Sequence, residues 1–242
     1  MLAGLALAVS AASEARAWPE EPPALILLIG NSHSNGVKRN LERLFEAAGV
    51  DVKIKNRSRG GWTLERHARS KGTLKRIGKK PWDIVVLQEQ SQGIWSERYG
   101  GARVLDATIR TAGARTMFFM TFRREGDPPG YYDNLLGTVG GTFGYVPIAW
   151  ELDASIAPVG WAFRTAVAEG LGLDLWKDGR HASKLGSYLA TCVFYAAMTG
   201  PSPEGLPARL SENTSASDIA AVQELAARVA LSRPNDWNLP DF

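Results

Sequence analysis

Residues 24–34 read ALILLIGNSHS, an apolar run that ends in glycine and small polar residues. A continuous apolar run of this length is typical of a strand buried on both faces, as in a parallel sheet. Apolar residues then recur at helical spacing from Val37 to Ala48, and Gly49 follows as a helix end. The stretch therefore predicts a strand, a polar turn and a helix, the repeating unit of parallel sheets.

The same alternation continues along the chain. Four more strands are predicted at residues 50–54, 84–87, 116–121 and 146–150, and further helices at 102–112, 162–169, 183–198 and 217–231. Residues 127–132 (DPPGYY) and 201–207 are predicted loops. Alternating strands and helices imply a five-stranded parallel sheet covered by helices on both faces. No repeat or second domain is visible, so residues 24–242 are expected to form one α/β domain.

Composition excludes several classes of protein. The 242 residues carry a net charge of +3 and are 45% hydrophobic, which is typical of a globular domain. The densest group of lysines and arginines, at residues 71–80, is interpreted as a solvated helix face, so no nucleic-acid partner is expected. Cys192 is the single cysteine, which excludes an internal disulfide and favours a buried thiol.

The first residues resemble a targeting segment. An apolar core at residues 2–9 precedes an A-x-A cleavage pattern at residues 15–17, although no Lys or Arg precedes the core. The core is too short for stable membrane insertion. We expect a signal peptide at residues 1–17, a linker at residues 18–23 (WPEEPP) and export to the periplasm or medium. The alternative is a frayed N-terminal extension.

Polar segments follow the predicted strands at residues 30–34, 56–63 and 88–91, and another, 178–183, precedes the helix of residues 183–198. In open α/β sheets, ligands bind beyond the carboxyl ends of the strands, so these segments are expected to meet at one rim.

Nucleophilic catalysis is the chemistry that these segments favour. Ser32 needs a base, and the chain has three histidines. His33 adjoins the serine, where neighbouring side chains point apart, and His67 falls in a predicted helical turn. His181 follows Asp178 by three residues, a spacing that lets the carboxylate orient the imidazole.

Acyl transfer also needs hydrogen-bond donors for the oxyanion. The candidates are the backbone N–H groups of Ser32 and Gly61 and a side-chain amide of Gln88 or Gln90, a choice that the sequence leaves open. Three scattered histidines and one cysteine do not form a metal-binding motif, and no cofactor is expected.

Together these segments resemble the motif blocks of the SGNH (GDSL-like) hydrolases. Residues 30–32 (GNS) resemble the first block, G-D-S, and residues 61–63 (GWT) after Asn56 resemble the second. Residues 178–181 (DGRH) resemble the fifth block, D-x-x-H, and residues 181–190 match the ending H-x-S-x-x-G-x-Y-L-A. The likeness covers residues 24–198. It implies a flavodoxin-like, three-layer α/β/α sandwich and a catalytic triad of Ser32, His181 and Asp178.

The third block departs from the pattern, since residues 88–91 (QEQS) stand where the family has G-x-N-D. The resemblance implies hydrolysis of a carboxylic ester, with an acetyl or short acyl group and a small-molecule or carbohydrate alcohol. Tryptophan faces suit sugars, and four lie in segments near the predicted rim: Trp62, Trp95, Trp161 and Trp176. The alternatives are a non-catalytic glycan-binding module on the same fold and a peptidase. Oligomeric state is not visible in the sequence.

Overall fold

Five parallel strands form the centre of the computed structural model, which describes residues 22–91, 99–137, 144–208, 210 and 214–240. The predicted signal peptide and most of the predicted linker lie outside these residues. The strands are β1 (Leu25–Ile29), β2 (Lys53–Asn56), β3 (Ile84–Leu87), β4 (Arg115–Phe119) and β5 (Ser155–Ala157). The helices are α1 (Ser32–Ala47), α2 (Leu64–Ala68), α3 (Lys71–Ile77), α4 (Tyr99–Thr111), α5 (Pro129–Leu136), α6 (Tyr145–Glu151), α7 (Val159–Ala168), α8 (Lys184–Thr199) and α9 (Ala216–Leu231), followed by a 3-10 helix, Pro234–Trp237.

The strand order is β2-β1-β3-β4-β5, and every neighbouring pair is parallel. The order reverses between β1 and β3, so the right-handed crossovers place α1 and α4 on opposite faces of the sheet. Helix α8 packs on both α1 and α9, while α2, α3 and α4 form a second group. The predicted flavodoxin-like α/β/α sandwich is confirmed.

The apolar character of the strands explains the core. Every residue of β3 is buried, as are residues 26–29 of β1, because helices cover both faces of the sheet. Cys192 is buried in α8, as predicted, and burial raises its pKa to about 12. Among the described residues, no helix is both long and apolar enough to cross a membrane.

The predicted fifth strand at residues 146–150 is wrong, because this segment forms α6. A short apolar run has the same pattern in a buried helix as in a buried strand. Pro147 is the third residue of α6, within the first turn, where the missing N–H costs no helical hydrogen bond. The actual β5 is only three residues long and follows at Ser155–Ala157.

The predicted loop at residues 127–132 is also partly wrong. Helix α5 begins at Pro129, within it. Proline is favourable at the first position of a helix because its fixed φ is already helical and its missing N–H would have no partner there.

Candidate active site

The nucleophile candidate lies where β1 passes into α1. Ser32 is the first residue of α1, and Asn31 is its N-cap, whose side-chain oxygen accepts a hydrogen bond from the His33 N–H at 3.2 Å. The Asn31 side-chain amide donates to the Trp62 carbonyl at 3.3 Å. Asn31 therefore caps the helix and ties it to the loop after β2.

Three side chains meet at this point in a hydrogen-bonded chain. Ser32 Oγ lies 3.2 Å from His181 Nε2, and His181 Nδ1 lies 2.9 Å from Asp178 Oδ2. A carboxylate can only accept, so Nδ1 carries the proton and Nε2 accepts from the serine hydroxyl. This is the tautomer that a general base needs.

Asp178 and His181 are held by one tight turn before α8. Asp178 Oδ1 accepts from the backbone N–H groups of His181, at 2.7 Å, and Arg180, at 3.1 Å. The His181 backbone hydrogen bond is the largest of the interactions that lower the pKa of Asp178 to about 2. Gly179 adopts φ +69°, a conformation that favours glycine. The carboxylate is thus ionised throughout the neutral range.

Gln88 does not reach the site. It is fully buried, its Oε1 accepts from the Asn31 N–H at 2.8 Å and the Ser34 hydroxyl at 2.9 Å, and its Nε2 donates to the Glu89 carbonyl at 2.6 Å. The expectation that Gln88 could offer its amide to an oxyanion is therefore not supported. Its role is to brace the nucleophile turn from behind.

Gly61 and Gln90 lie beside Ser32. Both line a polar cavity of about 140 Å³ together with Ser32 and His181. Gly61 has φ +68°, and a Cβ there would meet no atom within 4 Å. Its backbone conformation, rather than crowding, explains the glycine.

Glu89 joins the segment after β3, which contains Gln90, to the start of α2, which follows Gly61. This role was not predicted from the sequence. The Glu89 carboxylate is fully buried and accepts from the Gln90 N–H at 2.6 Å and from the Leu64 N–H, at the start of α2, at 3.2 Å. A charged residue two positions after a buried strand was the available indication, because an acid is rarely buried without strong partners.

His67 is a structural residue. It is fully buried, and its ring bonds to the Gly30 carbonyl oxygen and the Thr73 hydroxyl. Burial is the main cause that lowers its pKa below the usual value.

His33, by contrast, belongs to the site. It lines the polar cavity and a second cavity of about 340 Å³ that also contains Ser32 and His181. Its ring centroid lies 5.7 Å from that of His181. Burial, with smaller contributions from His181 and Arg180, lowers the pKa of His33 to about 4. The expectation that the His33 side chain would point away from Ser32 is wrong. Both residues lie in the first turn of α1, and both line the same two cavities.

The second cavity is largely apolar. Val37, Phe122, Ala182 and Ala190 line it beside Ser32. Its walls suit the hydrocarbon part of a small ligand.

Among the described residues, no tryptophan lines either cavity. Trp176 is buried, with its indole N–H donating to the Arg123 carbonyl at 3.0 Å. Trp161 packs near Trp237, and Trp62 lies against the Arg59 guanidinium at 5.0 Å. The predicted rim Trp95 lies outside the described residues. The tryptophans therefore give no support to a sugar platform.

Several solved structures share this fold. A DUF4886 family protein from Bacteroides uniformis is 23% identical, with a TM-score of 0.70 over 86% of this chain and 95% of its own. A proposed SGNH hydrolase from Slackia heliotrinireducens is 25% identical, with a TM-score of 0.54 over 71% of this chain and 96% of that one. An acetyl xylan esterase from Geobacillus stearothermophilus is 15% identical, with a TM-score of 0.55 over 78% and 97%. No family model and no curated protein matches the sequence.

Proposed function

We propose that this chain, whose fold is that of the SGNH hydrolases, is a serine esterase that cleaves a carboxylic ester through an acyl-enzyme. The hydrogen-bonded chain from Ser32 Oγ through His181 to Asp178 is the observation that carries the proposal. A binding module would have no use for this order of groups, in which each partner activates the next.

In the proposed reaction, Ser32 Oγ attacks the ester carbonyl while His181 Nε2 takes the serine proton. His181 then gives this proton to the departing alcohol. Asp178, ionised because its pKa is about 2, stabilises the imidazolium. Water next enters, His181 removes its proton, and attack on the acyl-enzyme releases the carboxylic acid and restores the serine.

The oxyanion is proposed to form beside the polar cavity. Ser32 opens α1, and the first N–H groups of a helix have no partner within the helix. Gly61 offers a second backbone N–H in this proposal, and the Gln90 side chain offers an amide. Each such donor is typically worth about 10²- to 10³-fold in rate.

The acyl group is proposed to be acetyl or short, in keeping with the apolar cavity of about 340 Å³. A carbohydrate alcohol is one candidate, since two structures of this fold are acetyl xylan esterases. Measuring the hydrolysis of acetylated sugars tests the carbohydrate alcohol directly.

The deciding experiment measures hydrolysis of p-nitrophenyl acetate by the full chain, by Ser32→Ala and by His181→Ala. Ser217→Ala, an exposed serine of α9, is the matched control. We expect loss of at least 10³-fold in the first two variants and none in the control, at unchanged circular dichroism.

Labelling by a fluorophosphonate distinguishes the esterase from the alternative, a non-catalytic glycan-binding module. An esterase is labelled at Ser32, and Ser32→Ala is not. A parent that binds glycans but neither turns over esters nor takes the label would replace the esterase proposal with the binding module.

A further inference from the structure

Two arginines line the polar cavity beside Ser32, one from each of two loops. Arg124 lies between β4 and α5, and Arg180 lies between the two triad residues of the turn before α8. The apolar cavity, whose charged lining residues are Lys177 and Asp178, contains neither of them. Arginines thus line the polar cavity and not the apolar one.

Hydrogen bonds hold the backbones of both arginines in place. The Arg124 N–H donates to Asp127 Oδ2 at 3.1 Å, and the Arg180 N–H donates to Asp178 Oδ1 at 3.1 Å. The Glu125 N–H donates to the Gly179 carbonyl at 3.0 Å, which joins the two loops. Their backbones are therefore fixed relative to each other and to the triad.

The guanidinium groups of Arg124 and Arg180 form no hydrogen bond within the described residues. The neighbouring Arg123 pairs with Asp127 at 3.0 Å and donates to the Ser91 carbonyl at 2.7 Å. Within the part of the chain that the structure describes, neither Arg124 nor Arg180 forms an ion pair with a carboxylate. The nearby Asp178 carboxylate is occupied by the His181 ring and two backbone N–H groups. Among the described residues, two arginines therefore line the cavity without a paired carboxylate.

We propose that the polar cavity selects esters that carry an anionic group, a carboxylate or a phosphate, close to the scissile bond. A guanidinium matches such a group because its planar fork can donate two parallel hydrogen bonds. The inference deepens the esterase proposal and depends on it. It names the charge of the substrate, which the triad does not determine.

The test compares matched neutral and anionic esters. One pair, 4-acetoxybenzoate and its methyl ester, places the charge on the alcohol part. The other pair, the p-nitrophenyl monoester of succinate and p-nitrophenyl butyrate, places it on the acyl part. We expect the anionic member of at least one pair to have the higher kcat/KM, and the preference to shrink as NaCl rises from 0.05 to 0.5 M.

Arginine variants identify the source of the preference. Arg124→Gln and Arg180→Gln should each lower the anionic-to-neutral ratio about two- to fivefold, the range for exposed charge pairs. The ratio is the readout because it cancels general damage to the triad. Arg43→Gln, an exposed arginine at the far end of α1, should leave the ratio unchanged.

The outcomes separate the two proposals. Failure to hydrolyse any ester, p-nitrophenyl acetate included, would overturn the esterase proposal and this inference with it. Equal hydrolysis within both pairs would overturn the inference alone. A preference that persists in both arginine variants would also overturn it.

Discussion

His67 Nε2 lies 2.8 Å from the carbonyl oxygen of Gly30, two residues before the proposed nucleophile. A carbonyl can only accept, so Nε2 carries the ring proton and Nδ1 accepts from the Thr73 hydroxyl at 3.2 Å. Burial favours the neutral ring that this arrangement requires, because it lowers the pKa of His67. A histidine that takes no part in the proposed chemistry thus supports the turn on which Ser32 sits.

Replacing His67 with Phe should destabilise the protein by about 1 kcal/mol, because the Gly30 carbonyl loses one of its two donors and keeps the Arg59 N–H at 2.9 Å. Urea denaturation measures the change. Thr73→Val removes only the hydroxyl that donates to the ring and should cost about 1 kcal/mol. Equal stability of His67→Phe and the parent would show that the Arg59 N–H alone satisfies the carbonyl.

Glu89→Gln should lower kcat about ten- to a hundredfold with little change in KM. The Glu89 carboxylate accepts hydrogen bonds from the backbone N–H groups of Leu64 and Gln90. A glutamine presents an NH₂ group to one of these two donors, and the resulting repulsion displaces Gln90 or the start of α2. We expect kcat to fall because proposed oxyanion donors act in the transition state. Steady-state kinetics on p-nitrophenyl acetate measure both constants.

Glu46→Gln, at an exposed position of α1, is the control for Glu89→Gln. The folded fraction, followed by circular dichroism, must match in all proteins. A rise in KM at constant kcat would contradict a role in positioning the donors.

The unfolding free energy should fall as the pH decreases from 6.5 to 4. In that window the unfolded chain protonates His33, whose ordinary pKa is 6.5, while the folded chain keeps it neutral down to about 4. The difference between the two pKa values of His33 corresponds to about 3 kcal/mol of unfolding free energy once the pH has fallen below both. His67, with its lowered pKa, contributes in the same direction.

His33→Phe should therefore flatten the pH dependence of stability between pH 4 and 6.5, and leave it unchanged above pH 7. Denaturant unfolding at several pH values measures the slope. A variant with the parent's slope would assign the whole dependence to other groups.

Gly186→Ala should destabilise the protein by about 1–3 kcal/mol or more. A Cβ at this position in α8 would lie 2.1 Å from the Leu175 carbonyl oxygen, a backbone atom that cannot move aside cheaply. Gly36→Ala in α1 is the matched control, because its Cβ would meet Ser187 Oγ at 3.6 Å. The free energy of unfolding of Gly36→Ala should equal that of the parent or exceed it by about 0.5–1 kcal/mol. Thermal and urea unfolding measure both.

The sequence predicted four of the five strands and the segments that meet at the site, since long apolar runs and their periodicity reflect burial directly. It failed at β5, where three residues carry too little pattern and the apolar run of α6 stands nearby. It also left Gln88 and Gln90 unresolved. Their difference depends on which side chain faces inward after β3, and Gln88 is turned inward by bonds to residues more than fifty positions away.

Ser32 and His181 are separated by 149 residues, whereas His181 and Asp178 share one turn. A chain that has emerged from the ribosome only as far as α7 carries the serine without its base. The sheet can be complete in such a chain, because β5 precedes α7. Under the proposed chemistry, recovery of activity during refolding would therefore time the docking of the turn before α8, an event that can lag behind the formation of secondary structure.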